Sequence, residues 1–125
     1  RVLYRKNTSK RRFVIVDGAM TDLPRPALYN AWHPIDVVAP RAGKKTLADV
    51  VGPVCESGDF LARRRLLPPL EQGDLLAVLK AGAYGFAMSS QYNSRPRAAE
   101  VIIENGRARL ARRRETHADL IRGEL

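Results

Sequence analysis

Residues 98–113 read AAEVIIENGRARLARR, and the pair at their centre decides the fold class. Asn105-Gly106 stands between two strand-like runs. A two-residue type I′ turn needs φ > 0 at both central positions, which Gly adopts freely and Asn tolerates. The sequence therefore predicts a β-hairpin, with strands near 99–104 and 107–112. The same rhythm recurs upstream. RFVIVD (12–17) is rich in β-branched residues and stops at Asp17-Gly18. VLYRK (2–6) reads as its hairpin partner across Asn7-Thr8-Ser9-Lys10. DVVGPV (49–54) is a further strand interrupted by Gly52-Pro53, and DLLAVLK (74–80) follows the punctuating PPLEQG. GAYGFAM (82–88) comes straight after it. About seven short strands at intervals near ten residues predict a mainly β chain, barrel-like or sandwich-like, with short helical turns.

Two segments depart from the strand pattern. In TDLPRPALYNAW (21–32), Pro24 and Pro26 leave room for no more than a turn or so of helix. In ETHADLIRGEL (115–125), Thr116 and Asp119 have the spacing of a capping box, which predicts a short helix. Alternating βα units are absent, as are Gly-rich phosphate loops, which excludes Rossmann and TIM layouts. There is no internal repeat and no low-complexity tract. A length of 125 residues suits one domain with a modest core.

Apolar residues make up 45% of the chain, too many for a disordered tail. No run approaches the roughly 20 apolar residues that cross a bilayer, so no membrane partner is expected. The opening RVLYRKNTSKRRFVIVDG carries charges where a secretion signal would be apolar. It also lacks an initiator Met, as expected for a piece of something longer. The single cysteine cannot form an internal disulfide, which fits the cytoplasm. Two histidines, His33 and His117, show no paired ligand spacing, so no metal is expected. His33 reads as a satisfied structural histidine and His117 as an exposed one.

The net charge is +9, from 22 basic and 13 acidic residues. The densest runs are Arg11-Arg12, Arg63-Arg64-Arg65 and Arg112-Arg113-Arg114. They are separated and lack interleaved aromatics, so they read mainly as solvated faces and turn edges rather than a nucleic-acid surface. A basic nucleic-acid-binding β module remains an alternative, because it accounts for the charge.

The chemistry concentrates in three places. In GPVCESGD (52–59), Cys55 is either a small buried hydrophobe or a reactive thiol on a strand-to-loop edge. Glu56 beside it disfavours a second negative charge on sulfur, which suits a proton donor better than a nucleophile. In RPALY (25–29), Arg25 sits between prolines that restrict its backbone, ready to hold a carboxylate through two parallel hydrogen bonds. One helical turn would bring Tyr29 near it. The bland alternative is a surface arginine and a core tyrosine. In KAGAYGFAM (80–88), Tyr84 has only small neighbours, which leaves its phenol in a hollow unless it is a packed barrel tyrosine.

Three segments, FVIVDGAMTDLPRPALYNAWHPI, VVGPVCESGDFLARRRLLP and GDLLAVLKAGAYGFAMSSQYNSRPRAAEVII, resemble the C-terminal domain of the diaminopimelate decarboxylase family. The closing RRRETHADLIRGE is similar too, so the resemblance covers nearly the whole chain. It implies a fold-type III enzyme that uses pyridoxal 5′-phosphate and converts meso-diaminopimelate to L-lysine and CO2. A barrel domain would precede this β domain, and two copies would form a homodimer with shared active sites. By the same resemblance, Cys55 donates the proton that replaces the departing carboxylate, acting in the partner subunit's site. Glu56 binds the distal amine of the substrate, Arg25 and Tyr29 hold its distal carboxylate, and Tyr84 touches substrate and cofactor. None of Lys6, Lys10, Lys44, Lys45 or Lys80 lies in the family's cofactor-lysine motif, so that lysine and the phosphate loop are expected outside residues 1–125. The chain alone is then expected to be inert. Relatives acting on ornithine or arginine usually carry Cys-Asp in place of Cys55-Glu56, which favours the diaminopimelate branch over that alternative. A purely structural dimerisation domain is the third alternative.

Overall fold

The computed structural model describes residues 1–124. A four-stranded mixed sheet organises the chain, in the order β1-β2-β4-β5. β1 (Val2–Asn7) and β2 (Arg12–Val16) are antiparallel. Thr8 closes their turn: its Oγ1 accepts the N–H of Arg11 at 2.9 Å. β4 (Thr46–Val51) lies parallel to β2, with Val14 opposite Val50. β5 (Phe60–Leu67) returns antiparallel to β4. A parallel neighbour needs a long crossover, and residues 17–45 supply it. They carry α1 (Arg25–Tyr29) and β3 (Ile35–Val37). β3 pairs with β6 (Leu76–Val78) as a separate antiparallel ribbon.

Alternation along the strands builds the core between these two layers. Val14 and Val16 of β2 point inward beside Val2, Ala48, Val50, Leu61, Ala62 and Leu67. Ile35 and Val37 of β3 and Leu76 and Val78 of β6 pack on this cluster from the ribbon side. Val2 and Val50 are fully buried, and each contributes roughly 1.5–3 kcal/mol.

The C-terminal third is α2 (Gly85–Met88), a 3-10 turn (Tyr92–Ser94), the hairpin β7 (Glu100–Glu104) and β8 (Arg107–Arg112), and α3 (His117–Leu120). Asn105 and Gly106 take φ of 51° and 73°, as the turn chemistry requires. Val101 opposes Leu110 and Ile103 opposes Ala108 on one face of the hairpin, and that face is exposed. α3 begins as its spacing predicts: Asp119 Oδ2 accepts the Thr116 N–H at 2.7 Å.

The mainly β prediction holds, with differences in detail. β4 stops at Val51 because Pro53 has no N–H to continue a ladder. The 74–80 strand shrinks to three residues. Lys80 and Tyr84 take φ of 55° and 63°, which ends extended backbone, and α2 follows at Gly85–Met88. The arginine run 63–65, read as solvated faces and turn edges, lies inside the eight-residue strand β5.

Candidate active site

The loop after β4 carries Cys55. It is closed by Gly52 N–H donating to Asp59 O at 3.1 Å, and tightened by Asp59 N–H donating to Glu56 O at 3.0 Å. Asp59 is the anchor. It is buried, its Oδ2 accepts the Val54 N–H at 2.7 Å, and its Oδ1 accepts the Met20 N–H at 2.7 Å. One carboxylate therefore ties the Cys55 loop to the segment that enters α1. Gly58 of this loop runs close beside α1: a methyl group added there would stand 3.7 Å from Ala27 Cβ. Cys55 and Glu56 are exposed at the crest of this braced loop. Within residues 1–124 Cys55 is therefore not packed as a buried hydrophobe. Glu56 folds one oxygen back, with Oε1 accepting the Gly58 N–H at 3.2 Å.

α1 is short for a stated reason. Pro24 and Pro26 flank Arg25 with backbone already fixed for a first helical turn, and Asn30 ends the helix at φ 53°. Leu28 N–H reaches Pro24 O at 3.0 Å. This geometry directs the Arg25 guanidinium across to Tyr84, with 5.6 Å from its carbon to the ring centroid, a cation–π contact. Arg25 Nε is buried with no hydrogen-bond acceptor. Tyr84 stands 68% exposed, in the left-handed region, and space around Gly82 and Gly85 is open. The packed-tyrosine alternative fails on that exposure. Ser90 N–H donates to Thr21 O at 3.0 Å and pins this segment beside the entry to α1. Tyr29, at the other end of α1, is exposed, and the ring beside Arg25 belongs to Tyr84.

Sequence reasoning missed Asp59, the residue that joins two of these segments. Its position after Ser57-Gly58 gave only loop character, and nothing in the sequence brings Met20 to it. His33 is buried and its Nδ1 donates to Leu79 O at 3.3 Å, but Nε2 has no partner, so it is satisfied on one side only. His117 is exposed as expected. Among the described residues no group of His, Cys, Asp and Glu could hold a metal ion, and no helix is long and apolar enough to cross a membrane.

Residues 1–82 match the family described as pyridoxal-dependent decarboxylase, C-terminal sheet domain. The chain belongs to this family. It is 52% identical to the diaminopimelate decarboxylase of Aquifex aeolicus over 99% of its own length and 30% of the relative. The figures for the Pseudomonas fluorescens diaminopimelate decarboxylase are 56%, 98% and 29%. The crystal structure of Helicobacter pylori diaminopimelate decarboxylase with L-lysine superposes with a TM-score of 0.90 at 50% identity, over 97% of this chain and 29% of that one. The chain thus spans under a third of the length of these relatives.

Proposed function

We propose that the longer protein carrying this chain is a pyridoxal-phosphate decarboxylase that converts meso-diaminopimelate to L-lysine and CO2. In this reading the chain reads the distal end of the substrate and returns the proton. One observation carries the reading: Arg25 lies over the exposed Tyr84 ring while Asp59 ties the Cys55-Glu56 loop to the segment that enters the same short helix. The distal end of the substrate is itself an amino acid, with an ammonium and a carboxylate. A site for it needs an anion and a cation together, and Glu56 and Arg25 supply them. The Arg25 Nε that lacks an acceptor is suited to a carboxylate oxygen. Tyr29 is exposed on the same helix and serves the same carboxylate.

The residues also fit the cofactor's edge. Tyr84 offers an exposed phenol over open glycine backbone, room for a phosphate-bearing ring to approach. When bound, pyridoxal phosphate supplies an electron sink for the bond that breaks as CO2 leaves. Cys55 Sγ–H then delivers its proton to the carbon that lost CO2, and water reprotonates the sulfur. The covalent lysine lies in a barrel domain outside residues 1–125, so the chain alone is inert. Cys55 and Glu56 act in the site of a second copy. The uncovered apolar face at Val101, Ile103 and Leu110 supports burial against further protein. A single cysteine suits a cytoplasmic enzyme.

The test uses the longer protein loaded with cofactor. Cys55→Ala should lower kcat by about 10²–10⁴-fold with little change in KM. Arg25→Met should raise KM for diaminopimelate by about 10–100-fold, the loss of one charge-assisted pair. Near-normal turnover in Cys55→Ala would leave only the dimerisation role. Faster turnover of ornithine or arginine than of diaminopimelate would assign the protein to that branch instead.

A further inference from the structure

A groove of about 470 Å³ opens between the β1–β2 turn and the middle of β4 and β5. Lys10 and Arg11 line it from the turn, Arg12 from the start of β2, and Arg63 and Arg64 from β5. Asp49 is the one carboxylate among the lining residues, and it is already engaged. Its Oδ1 accepts the Arg64 N–H at 2.7 Å, and its Oδ2 lies 3.7 Å from Arg11 Nη1. Lys10, Arg12, Arg63 and Arg64 pair with no carboxylate among the described residues.

A regular strand could not build this cluster. Successive side chains alternate between faces, which would send Arg63 and Arg65 one way and Arg64 the other. In the sheet, Ala62 pairs with Val50 and Arg65 with Ala48, so Arg63 and Arg64 together oppose Asp49. This is a β-bulge, and Arg64 takes φ of 51° within it. A non-glycine residue there is strained, and the Asp49 hydrogen bond holds it. As a result Arg63 and Arg64 both line the groove, the Arg63 guanidinium lying over the Phe60 ring at 3.8 Å, while Arg65 stacks on Trp32 at 4.5 Å.

We propose that this groove binds a small multivalent oxyanion, one that carries two or more phosphate or carboxylate groups. Five basic residues around one groove with a single, already engaged carboxylate leave an excess of positive charge, which a bound anion offsets. Each guanidinium offers a planar fork of donors for an oxyanion. The volume falls in the range of about 300–1,000 Å³ of small-molecule sites. No lining residue is aromatic, so there is no platform for stacked bases. The proposal does not depend on the decarboxylase reading.

Calorimetry on the longer, cofactor-loaded protein tests it, with inorganic pyrophosphate, citrate and orthophosphate at an ionic strength of about 0.15 M. The expected result is saturable binding of pyrophosphate or citrate, at least about 10-fold tighter than orthophosphate. The tighter of the two identifies phosphate or carboxylate as the group recognised. Arg64→Gly, which removes a guanidinium and relaxes the backbone, should weaken binding by about 10-fold or more. Arg107→Gln, in the distant hairpin, should leave it unchanged. Arg64→Asn replaces the glycine variant if that variant melts below the parent. No saturation by about 1 mM, or equal loss in Arg107→Gln and Arg64→Gly, overturns the proposal. So does a duplex oligonucleotide that binds through Arg64 more tightly than pyrophosphate at the same salt.

Discussion

Gly52→Ala asks whether the Asp59 carboxylate holds the Cys55 loop. Gly52 is not in the left-handed region, so its backbone accepts alanine. The obstacle is the carboxylate. A Cβ on Gly52 would stand 2.3 Å from Asp59 Oδ2, 2.4 Å from Oδ1 and 2.6 Å from Cγ. Reaching 3.0 Å requires a retreat of about 0.7 Å. That stretches the two 2.7 Å bonds from Met20 and Val54 to about 3.4 Å, where such bonds are weak. Hydrogen bonds to a charged acceptor are worth about 1.5–3 kcal/mol each, so the substitution should cost about 3–5 kcal/mol. Against a domain stability of about 5–15 kcal/mol this is large. Urea unfolding followed by circular dichroism measures it, in a double-mutant cycle with Asp59→Ala. With the carboxylate gone the clash is gone, and Gly52→Ala should cost less than about 1 kcal/mol. An equal cost in both backgrounds would refute the bridging role, because the penalty would then come from the backbone at Gly52.

The Glu115 carboxyl is held down to about 2 by the Arg97 side chain, then by the Arg97 N–H and Gln91. Its folded value lies below the usual 4.5, so its contribution is complete above that pH and is lost as pH falls towards about 2. Melting temperature against pH should drop less steeply through that window in Glu115→Gln than in the parent. Arg64→Gly should stabilise the fold by about 1 kcal/mol, since glycine takes a φ of 51° without strain; a lower denaturation midpoint would contradict this. Thr116→Ala should cost about 1 kcal/mol through the lost cap of α3, read by hydrogen exchange at residues 117–120.

What the sequence revealed was chemistry that acts locally. Asn105-Gly106 must turn left-handed wherever it sits, and Thr116 caps whatever helix begins after it. The Cys55 loop was legible for the same reason: glycine and proline on both sides end a strand. β5 was hidden because its pattern is not that of a half-buried strand. Leu61 and Ala62 are both buried and Arg63 and Arg64 both exposed, breaks in alternation made by two successive register shifts against β4. The approach of Arg25 to Tyr84 was not legible either, because the two are 59 positions apart and their meeting depends on Ser90 reaching Thr21.

Two of the places where β4 and β5 part company have the same remedy. At the bulge the ladder loses a partner for Arg64 N–H, and Asp49 supplies it at 2.7 Å. At the strand ends the ladder stops at Gly52, and Asp59 supplies acceptors for Val54 and Met20. Both aspartates are buried, and each accepts from backbone N–H groups that would otherwise be orphaned. An irregular sheet is stable only where such side chains replace missing backbone partners. In this chain both irregularities present functional groups: one exposes the thiol and carboxylate of the candidate active site, and the other brings two consecutive arginines to one groove. Removing either aspartate should therefore damage one region and spare the other. Asp49→Asn should weaken anion binding with Cys55 still in place, and Asp59→Asn should lower turnover with the groove intact. If either variant disturbed both readouts equally, the two irregularities would be one cooperative unit and not separate devices.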